Sequence, residues 1–569
     1  MNKNVKPYEV REVSNLKQIV EEASEIYKDN VAYYVKDKSN KYTAIKFPQV
    51  LEDMNALGTA LITLGLKDKR IAVIGENRYE WAISYLATIN GTGVVVPLDK
   101  QLPLNELISC MKRARVDCLI YSSKLQDKID EIYKENDIVS YYIGMDLEED
   151  NGKFLSLHKL ITKGKELVNN GDKSFIDAKI DENSMAELLF TSGTTSQSKA
   201  AMLSQKNMVY NMHQHCQMVN IKPNDIFLSM LPIHHVYECV CGFLMPIYRG
   251  AAVAYCDGLR HIQKNMQEAH VSIVLSVPLV FETLYRKIWE GIEKQGKTKL
   301  VKRMIKITNV LDKIGIHLKR KVFKSIHDQF GGNLRLFIAG AAAINPEVSK
   351  GFRDFGITLI QGYGLTECAP IVAVNRDNYY KDEAVGLPLY GTELKIVDIN
   401  DDGIGEIITK GDHVMIGYYE NEEATKEVIK DGWFYTGDLG FQDEDGFVYI
   451  TGRKKNVLIT KNGKNVYPEE LEALLNDNEY ILESMVYLKP EKDDLVLSAE
   501  IRVNKEFIEN KFKDNPKTDE EIKQLIWEEV KKINQNLVIY KHIKEINIRE
   551  KEFEKTTTMK IKRYLEKKV

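Results

Sequence analysis

An alternation of predicted strands and helices constrains this chain more than any other feature of its sequence. Residues 70–74 and 93–97 are largely apolar and of strand length, and a segment with helical spacing, 79–89, separates them. A further predicted helix, 105–114, leads into a further predicted strand, 117–121. Strands joined through helices are typical of a parallel sheet that carries helices on both faces. We therefore predict an α/β fold.

The alternation returns later and then gives way to strands alone. After about residue 385 the helical patterns become rare, and Asp/Gly turns separate short predicted strands. We predict a large N-terminal domain of doubly wound mixed sheets, completed by a small β-rich subdomain. A small α/β domain follows, whose clearest helix, 519–534, begins with a capping box of Thr518 and Glu521.

Composition excludes several classes of protein. The 569 residues exceed one domain, and the net charge of −4 disfavours nucleic acid as a partner. The seven cysteines have no metal-binding spacing, which fits a reducing compartment. The longest apolar runs, 236–248 and 271–281, are too short to cross a bilayer. We predict a cytoplasmic protein with no transmembrane segment, for which peripheral membrane contact remains open.

The segment 188–204 combines a predicted buried strand with a loop rich in hydroxyl groups. Its hydroxyls, its glycine-freed N–H groups and one cation suit the phosphates of a nucleotide. A polar surface loop is an equally good reading of the segment in isolation. The P-loop pattern fails, because no second glycine precedes Lys199 and Ala200 follows it. The residues that we expect to contact phosphate are Thr191, Ser192, Gly193, Thr194, Thr195 and Lys199.

Two further segments carry carboxylates among glycines. In 361–367, the two glycines let the backbone approach a ligand, Tyr363 offers a ring to a base, and Glu367 offers a ligand to Mg²⁺. In 433–440, Asp438 is predicted to lie in a glycine-bounded turn, where it suits the two hydroxyls of a ribose. Ordinary turns explain either segment when it is taken alone.

Two cationic segments complete the set. Residues 451–456 contain a run of cations between the predicted β-rich subdomain and the predicted C-terminal α/β domain. Residues 555–563 form a basic segment near the C-terminus. Considered by composition alone, each is a solvated surface segment.

Taken in this order and at these separations, the motifs resemble the adenylate-forming superfamily of acyl-CoA synthetases, luciferases and peptide-synthetase adenylation domains. Within it, the chain is most similar to bacterial long-chain fatty-acid–CoA ligases. The resemblance implies ATP-dependent activation of a fatty acid to acyl-AMP with release of pyrophosphate, followed by transfer to CoA. It also implies Mg²⁺, an N-terminal domain over residues 1–452, a hinge at 453–456 and a mobile C-terminal domain over 457–569.

The resemblance also implies roles for single residues. Lys560, Lys199, His235, Thr366 and Glu367 are expected to be catalytic, and Thr191 and Glu367 to bind the metal. The cofactor-binding residues are expected to be Thr191, Ser192, Gly193, Thr194, Thr195, Gly340, Ala341, Ala342, Gln361, Gly362, Tyr363, Gly364, Asp438, Arg453, Lys455 and Gly463. His234 is the better candidate for a structural histidine. Apolar segments at 236–247 and 273–281 either wall an acyl tunnel or pack in the core.

The chain departs from the family's usual motifs at several positions. Ser196, Ser198 and Ala200 stand where the family has Gly, Pro and Gly, and Glu554 and Met559 replace a Pro and a Gly near the C-terminus. The substitutions bear on loop flexibility and rate, and they remove none of the expected charges.

Three rival functions remain open at this point. A ligase that charges an acyl-carrier protein would share the adenylation step and differ in its acceptor. A non-catalytic acyl-binding or nucleotide-binding protein would explain the substituted glycines. A kinase or phosphate-releasing ATPase would use the loop at residues 191–199, against which the failed P-loop pattern counts.

Overall fold

The structure is a computed structural model that describes residues 6–135, 139–191, 198–460, 464–491, 494–555 and 561–566. None of the helices among these residues is both long and apolar enough to cross a membrane.

The α-helices among the described residues are numbered here in chain order. They are α1 (Leu16–Ile26), α2 (Phe47–Thr63), α3 (Tyr79–Ala87), α4 (Leu104–Ala114), α5 (Gln126–Glu135), α6 (Leu157–Asn169), α7 (Gln205–Met218), α8 (Met245–Arg249), α9 (Ile262–Ala269), α10 (Pro278–Lys294), α11 (Thr298–Lys313), α12 (Lys319–Val322), α13 (Lys324–Asp328), α14 (Pro346–Asp354), α15 (Glu422–Val428), α16 (Pro468–Asn476), α17 (Lys505–Lys511), α18 (Asp519–Asn534) and α19 (Arg563–Glu566).

The strands are numbered in the same way. They are β1 (Val31–Lys36), β2 (Tyr42–Lys46), β3 (Lys69–Ile74), β4 (Gly93–Leu98), β5 (Cys118–Tyr121), β6 (Tyr141–Gly144), β7 (Phe154–Ser156), β8 (Met185–Thr191), β9 (Lys199–Ser204), β10 (Ile226–Ser229), β11 (Ala252–Tyr255), β12 (Ile273–Ser276), β13 (Leu336–Ala339), β14 (Thr358–Gly364), β15 (Ile371–Val374), β16 (Leu387–Pro388), β17 (Glu393–Val397), β18 (Gly405–Lys410), β19 (Gly417–Tyr418), β20 (Ile429–Lys430), β21 (Trp433–Gln442), β22 (Val448–Arg453), β23 (Leu458–Ile459), β24 (Asn465–Val466), β25 (Ile481–Glu491), β26 (Asp494–Val503) and β27 (Glu545–Arg549).

The chain divides into two compact units. Unit 1 comprises Met1–Glu393, Thr409–Phe434 and Asp445–Phe447, and unit 2 comprises Leu394–Ile408, Tyr435–Glu444 and Val448–Val569. The edges of two compact units do not locate a hinge between them. The boundaries at 452 and 457 therefore stay a prediction.

Two mixed sheets form the framework of unit 1. One has nine strands in the order β16-β15-β14-β13-β12-β10-β11-β1-β2, and the other has eight in the order β19-β9-β8-β4-β3-β5-β6-β7. The central strands of each run parallel, and antiparallel strands lie at the edges, such as β2, β15 and β9. Helices joining the parallel strands cover the sheets and bury an apolar core on each. The predicted α/β class is confirmed.

Unit 2 has a smaller sheet formed by β25, β26 and β27, against which α16 and α18 pack. Helix α18 begins with the predicted capping box. The Thr518 hydroxyl accepts from the Glu521 backbone N–H at 3.3 Å, and the Glu521 carboxylate accepts from the Thr518 N–H at 2.8 Å. These bonds satisfy two donors that a helix start leaves without intrahelical partners.

One local prediction is wrong. The segment around Asp438 was expected to be a glycine-bounded turn, but it lies within the ten-residue strand β21. The glycines are accommodated because β21 pairs antiparallel with β22, whose backbone supplies the hydrogen-bonding partners that a turn would have found locally. Long-range pairing overrides local preference here.

Candidate active site

The loop predicted to hold phosphate leaves one strand of unit 1 and returns in the next. Strand β8 ends at Thr191 and β9 begins at Lys199, and these two residues are cross-strand partners. The Thr191 hydroxyl donates to the carbonyl oxygen of Lys199 at 3.2 Å. The antiparallel pairing therefore places the expected hydroxyl and the expected cation side by side at the base of the loop.

Tyr418 connects that cation to the expected metal ligand. The Lys199 ammonium lies 4.7 Å from the centre of the Tyr418 ring, within the range of a cation–π interaction. The Tyr418 hydroxyl donates to Oε1 of Glu367 at 2.8 Å. One buried tyrosine thus contacts both charged groups, and it holds them in the same part of unit 1.

The backbone on both sides of Tyr418 fixes its position. Strand β19 pairs antiparallel with β9, with Tyr418 opposite Ala201. A few residues earlier, the Met415 N–H donates to the carbonyl oxygen of Glu367 at 2.8 Å. Because Tyr418 is about fifty residues distant from Glu367 and more than two hundred from Lys199 in sequence, only tertiary pairing creates this contact set.

Arg113 anchors the far end of the phosphate loop. Its guanidinium donates to the carbonyl oxygen of Ser198 at 2.8 Å and lies 5.3 Å from the centre of the Phe190 ring. Ser198 is one of the positions where the chain departs from the family's motif. The guanidinium holds the backbone at this residue, directly before β9.

Asn211 on α7 supports the segment that follows Glu367. Its side-chain amide donates to the carbonyl oxygens of Cys368 at 3.0 Å and Ile371 at 2.8 Å. Since Asn211 is buried, these bonds are protected from water and fix the turn after the carboxylate.

A second loop follows β13 and contains the residues expected to border an adenine. Gly340 is buried, whereas Ala341 and Ala342 are exposed, and Ala341 has a left-handed backbone with φ of 70°. A Cβ at Gly340 would come within 2.9 Å of the Tyr237 ring, so the close packing of that ring requires glycine.

Gln361 ties this loop to its neighbours. Its Oε1 accepts from the Ile344 N–H at 3.3 Å, and its Nε2 donates to the carbonyl oxygen of Asp382 at 2.7 Å. The side chain is buried and uses both ends of its amide within the protein. These contacts show that the Gln361 side chain holds the loop after β13 in place.

The segment after Gln361 continues as strand rather than as a loop. Gly362, Tyr363 and Gly364 belong to β14, which turns from parallel pairing with β13 to antiparallel pairing with β15. A Cβ at Gly364 would collide with the Pro370 carbonyl, so this pairing requires glycine. Thr366 begins a short 3-10 turn that carries Glu367.

His234 and His235 lie against Asp99, which directly follows β4. The two imidazole centres are 4.1 Å apart, and His234 Nε2 lies 3.6 Å from Oδ2 of Asp99. Burial lowers the pKa of both histidines, and Asp99 partly opposes this effect for His235. Both rings are therefore neutral at physiological pH.

In unit 2, the expected ribose ligands Asp438 and Arg453 are cross-strand partners on β21 and β22. The Arg453 Nε lies 2.6 Å from Oδ1 of Asp438, whose side chain is buried. The Asp438 N–H donates to the Thr436 hydroxyl at 3.0 Å, and that hydroxyl donates to the Ile407 carbonyl at 2.7 Å. The carboxylate is thus fixed by both its side chain and its backbone.

The next residues carry a second ion pair in unit 2. The Lys454 ammonium lies 2.7 Å from Oε2 of Glu406, and the Gly437 N–H donates to Oε1 of the same carboxylate at 3.1 Å. The hydrogen bond to Glu406 raises the pKa of Lys454. Lys455, the expected hinge residue, is exposed in the short 3-10 turn Lys454–Asn456.

Some of the expected site residues lie outside the described residues. They are Ser192, Gly193, Thr194, Thr195, Gly463 and Lys560. Their roles stay predictions.

Sequence reasoning missed three side chains that organise these sites: Tyr418, Arg113 and Asp99. None lies in one of the motifs that were singled out, and each acts through a neighbour distant in sequence. The only signal was the aromatic pair Tyr418-Tyr419 after Gly417, which does not by itself point to Lys199 or Glu367.

An α/β fold whose hydroxyl-, lysine- and glutamate-bearing segments meet in one place is typical of nucleotide-binding enzymes. Comparison with known proteins agrees. The profile of the AMP-binding enzyme family matches residues 20–419. The chain therefore belongs to the AMP-binding enzyme family.

Individual relatives and solved structures are similar to this chain over most of its length. The chain is 26% identical over 514 residues to the long-chain-fatty-acid–CoA ligase FadD15 of Mycobacterium bovis, covering 84% of this chain and 81% of the relative. It is 26% identical over 585 residues to the chloroplastic long-chain-fatty-acid–[acyl-carrier-protein] ligase AEE15 of Arabidopsis thaliana, covering 90% and 79%. The crystal structure of the anthranilate CoA ligase AuaEII with anthranoyl-AMP shares the fold, with a TM-score of 0.77, 19% identity, and coverage of 99% and 97%.

Proposed function

We propose that this protein is an AMP-forming acid–thiol ligase that activates a long-chain fatty acid with ATP and transfers the acyl group to CoA. The observation that carries the proposal is the contact set in which Tyr418 holds both Lys199 and Glu367 beside Thr191. A cation and a carboxylate held together suit a nucleotide triphosphate and its divalent metal. Fatty-acid–CoA ligases among the relatives support the choice of substrate and acceptor.

The donor set at Glu367 fits magnesium. One carboxylate oxygen accepts from Tyr418, and the described residues place no hydrogen bond on the other. Thr191 has a hydroxyl oxygen with lone pairs still available, because its proton is donated to Lys199. Carboxylate and hydroxyl oxygens are hard ligands of the kind that Mg²⁺ prefers. When bound there, Mg²⁺ would neutralise charge on the ATP phosphates.

The first step joins two anions, so it needs concentrated positive charge. A carboxylate oxygen of the acid attacks the α-phosphorus of ATP, the bond to the bridging oxygen breaks, and pyrophosphate leaves. In this proposal Lys199 and the segment 191–195 hold the β- and γ-phosphates, while Thr366 and Lys560 contact the α-phosphate. Such a reaction depends mainly on positioning and on electrostatic stabilisation.

His235 is proposed to lie beside the acyl carboxylate during this step. Its neutral imidazole, a consequence of burial, donates a hydrogen bond without forming a permanent ion pair with the acid. Asp99 and His234 then orient the ring. This arrangement places no fixed charge that would trap the carboxylate in its unreactive ground state.

In the second step a thiol attacks the carbonyl carbon of the acyl-AMP, and AMP leaves with the electron pair of the broken anhydride bond. The thiol needs access, and it no longer needs Lys560. We propose that the C-terminal domain, residues 457–569, supplies Lys560 for the first step and the segment around Gly463 for the second, by rotation at Lys455. Different needs in the two steps would explain a separate, hinged domain.

The ribose is proposed to bind Asp438 and Arg453. Their mutual ion pair fixes the two side chains before any nucleotide arrives. The adenine is assigned to the loop of Gly340, Ala341 and Ala342, with Tyr363 as its stacking partner. Gln361, Gly362 and Gly364 would shape the backbone around it.

Pyrophosphate release with a panel of carboxylic acids, with and without CoA, tests the proposal. We expect acid-dependent release of pyrophosphate, and CoA-dependent formation of a thioester and AMP. ADP in place of AMP and pyrophosphate would indicate phosphoryl transfer instead: an ATPase would also release inorganic phosphate, and a kinase would leave the phosphate on an acceptor. A protein that binds ATP and acid but releases no pyrophosphate would be a non-catalytic binding protein.

Chain length is tested in the same assay. Each methylene buried by the site contributes about 0.8 kcal/mol, so four additional carbons should favour binding by ~3 kcal/mol, or about two orders of magnitude. We expect kcat/KM to rise from eight to sixteen carbons. A flat or falling series, or a higher value for benzoate, would contradict the assignment of a long-chain acid.

An acyl-carrier protein is the alternative acceptor, and the relative in Arabidopsis thaliana motivates it. Both acceptors use the same adenylation step. Comparing CoA with purified acyl-carrier protein at equal concentration distinguishes them. If thioester forms only on the carrier protein, that protein replaces CoA as the proposed acceptor, and the proposed adenylation step stays the same.

A further inference from the structure

The segment 294–324 in unit 1 is far more basic than the rest of the chain. It contains eleven Lys or Arg residues and one acidic residue, Asp312, in a protein whose net charge is −4. Helix α11 lies in this segment. None of its residues is in the motifs assigned to the reaction, so the proposed function does not account for this concentration of charge.

One side of α11 packs on the protein core. Val301, Met304 and Ile305 contact the apolar core of the nine-stranded sheet, and Thr308 is buried. Their spacing of three and four residues places them on one face of the helix. This face explains how the helix is held.

A second, separate set of apolar side chains on α11 faces outward. Leu300, Ile307 and Val310 recur at spacings of seven and three, and Ile314 follows after four more residues. These positions form one stripe on the helical surface. Leu300 is 57% exposed, Val310 is 62% exposed and Ile314 is 67% exposed. An apolar stripe this open costs free energy in water unless something covers it.

A row of cations runs beside the apolar stripe. Lys299, Lys302, Lys306 and Lys313 are all exposed and are separated by three, four and seven residues. Within the part of the chain that the structure describes, none of the four forms an ion pair with a carboxylate. The helix therefore shows an outward apolar stripe flanked by uncompensated positive charge.

The chain beyond α11 extends the same character. Ile316 and Leu318 are exposed apolar residues, and Lys319, Arg320 and Lys321 follow them. Lys319 pairs with Asp312 at 2.8 Å, so the single acidic residue of the segment is already engaged.

We propose that this surface, α11 with residues 314–321, binds the surface of an anionic phospholipid bilayer. A helix with an apolar stripe and a lysine-rich flank lies in the plane of the membrane interface, with its apolar side chains among the acyl chains and its cations at the lipid phosphates. Charge complementarity identifies the lipid as anionic. The proposal goes beyond the ligase activity, and its test does not depend on that activity.

Flotation of the full chain with lipid vesicles tests the proposal. Vesicles of phosphatidylcholine alone are compared with vesicles that contain about one third phosphatidylglycerol, at NaCl concentrations from about 50 to 500 mM, a range over which screening lengths fall several-fold. We expect binding to the anionic vesicles, weakened by salt, and little binding to phosphatidylcholine. Equal binding to both vesicles, or to neither, would overturn the proposal.

Charge reversal identifies the surface. The triple substitution Lys299→Glu, Lys302→Glu and Lys306→Glu should weaken binding to anionic vesicles by about 100-fold, because each cation near such a surface contributes several-fold to the affinity. The control is Lys523→Glu, Lys531→Glu and Lys532→Glu, three exposed lysines on α18, a helix of the same length whose other face packs in the core. Lys531 and Lys532 pair with Glu528 and Glu529, so the melting temperature of this variant is measured alongside its binding. Equal loss in both variants would show that overall charge, and not α11, governs binding.

The apolar stripe is tested separately with Leu300→Ser, Ile307→Ser and Val310→Ser. We expect loss of the binding that persists at high salt, with the melting temperature unchanged because these side chains are already exposed. If the wild type is instead a dimer that these substitutions convert to a monomer, a second copy covers the stripe and the lipid proposal is wrong.

An acidic protein is the other partner with suitable charge. Two results together would identify a protein partner in place of the membrane. The wild type would bind an acyl-carrier protein but no vesicles, and the variant at Lys299, Lys302 and Lys306 would lose the binding of the carrier protein. Vesicle binding that survives an excess of that carrier protein supports the proposal.

Discussion

The two carboxylates that the sequence assigned to ATP, Glu367 and Asp438, are held in opposite ways. Glu367 is partly exposed and accepts a hydrogen bond from a neutral donor, the Tyr418 hydroxyl. Asp438 is buried and pairs with a cation, Arg453, at 2.6 Å. The first carboxylate keeps its negative charge available, whereas the second has already been neutralised by its own protein.

This difference separates two tasks. A neutral hydrogen bond orients Glu367 and leaves its charge for a metal ion, which suits phosphate binding. A salt bridge orients Asp438 and balances its charge with that of Arg453, which suits the orientation of uncharged ribose hydroxyls. It follows that Glu367 should matter for catalysis with little effect on stability, and Asp438 should matter for both.

The largest effect is expected from Lys560→Ala. Lys560 is proposed to supply positive charge in the adenylation step alone, so acyl-AMP formation should fall by about 1,000-fold. Conversion of pre-made acyl-AMP and CoA to thioester should stay near the wild-type rate. Single-turnover assays of the two half-reactions measure this directly. Equal loss of both would make Lys560 one cation of a solvated tail.

Lys455→Pro is expected to give the opposite result. Proline fixes φ at about −65° and would block rotation at the proposed hinge, so thioester formation should fall by roughly 100-fold while adenylation survives. Lys455→Ala is the matched control, because it removes the charge and keeps the backbone free. If the alanine variant showed the same defect as the proline variant, the charge and not the hinge would be responsible.

Glu367→Gln tests the available charge directly. The substitution preserves size and removes the charge proposed to hold Mg²⁺, so adenylation should fall by about 100-fold. The melting temperature should move by less than about 2 °C, since no cation within the described residues depends on Glu367. Magnesium titration of the activity should show a raised requirement. An unchanged rate would mean that other residues hold the metal.

The fold was predictable because its signals are local. The strands β3, β4 and β5 and the helices between them were expected from apolar spacing, and the capping box of α18 from two residues. These patterns reflect which side chains each element must bury, and the sequence shows that directly.

The site was only partly predictable because its geometry is non-local. Lys199 and Glu367 were identified by motif, but the tyrosine that holds them together was not, since the pairing of β19 with β9 brings it there. The ion pair of Asp438 with Arg453 was missed for a related reason. It requires the register of β21 on β22, and the local sequence suggested a turn.

Tyr418→Phe should have a smaller effect than Glu367→Gln. It removes one hydrogen bond to a charged group and keeps the ring against Lys199, so a loss of about tenfold in adenylation is expected. The KM for magnesium should rise in parallel. Tyr419→Phe, at the adjacent residue, is the matched control. A Tyr418→Phe enzyme with wild-type magnesium dependence would show that the tyrosine does not orient the metal ligand.

Asp438→Asn should have the smallest effect on turnover. It should also show the difference between the two carboxylates, because we expect it to lower stability, whereas Glu367→Gln should not. Breaking the pair removes the Asp438 charge from beside Arg453, whose side chain is one-third exposed and reaches water. The free energy of unfolding should therefore fall by about 2 kcal/mol, below the 3–5 kcal/mol typical of a fully buried pair. The KM for ATP should rise by about fivefold, the loss expected from one hydrogen bond.

Glu406→Gln is the control for that loss of stability. It weakens the ion pair of Glu406, on β18, with Lys454, which directly follows β22, and Glu406 has no assigned contact with nucleotide. Denaturant unfolding should show a loss of stability in both variants, smaller in Glu406→Gln because the Lys454 side chain is 57% exposed, whereas only Asp438→Asn should raise the KM for ATP. If both variants raised that KM equally, the effect would come from damage to the fold, and Asp438 would have no specific role in binding the ribose. If Glu367→Gln destabilised the protein as much as Asp438→Asn, the contrast between the two carboxylates would be wrong.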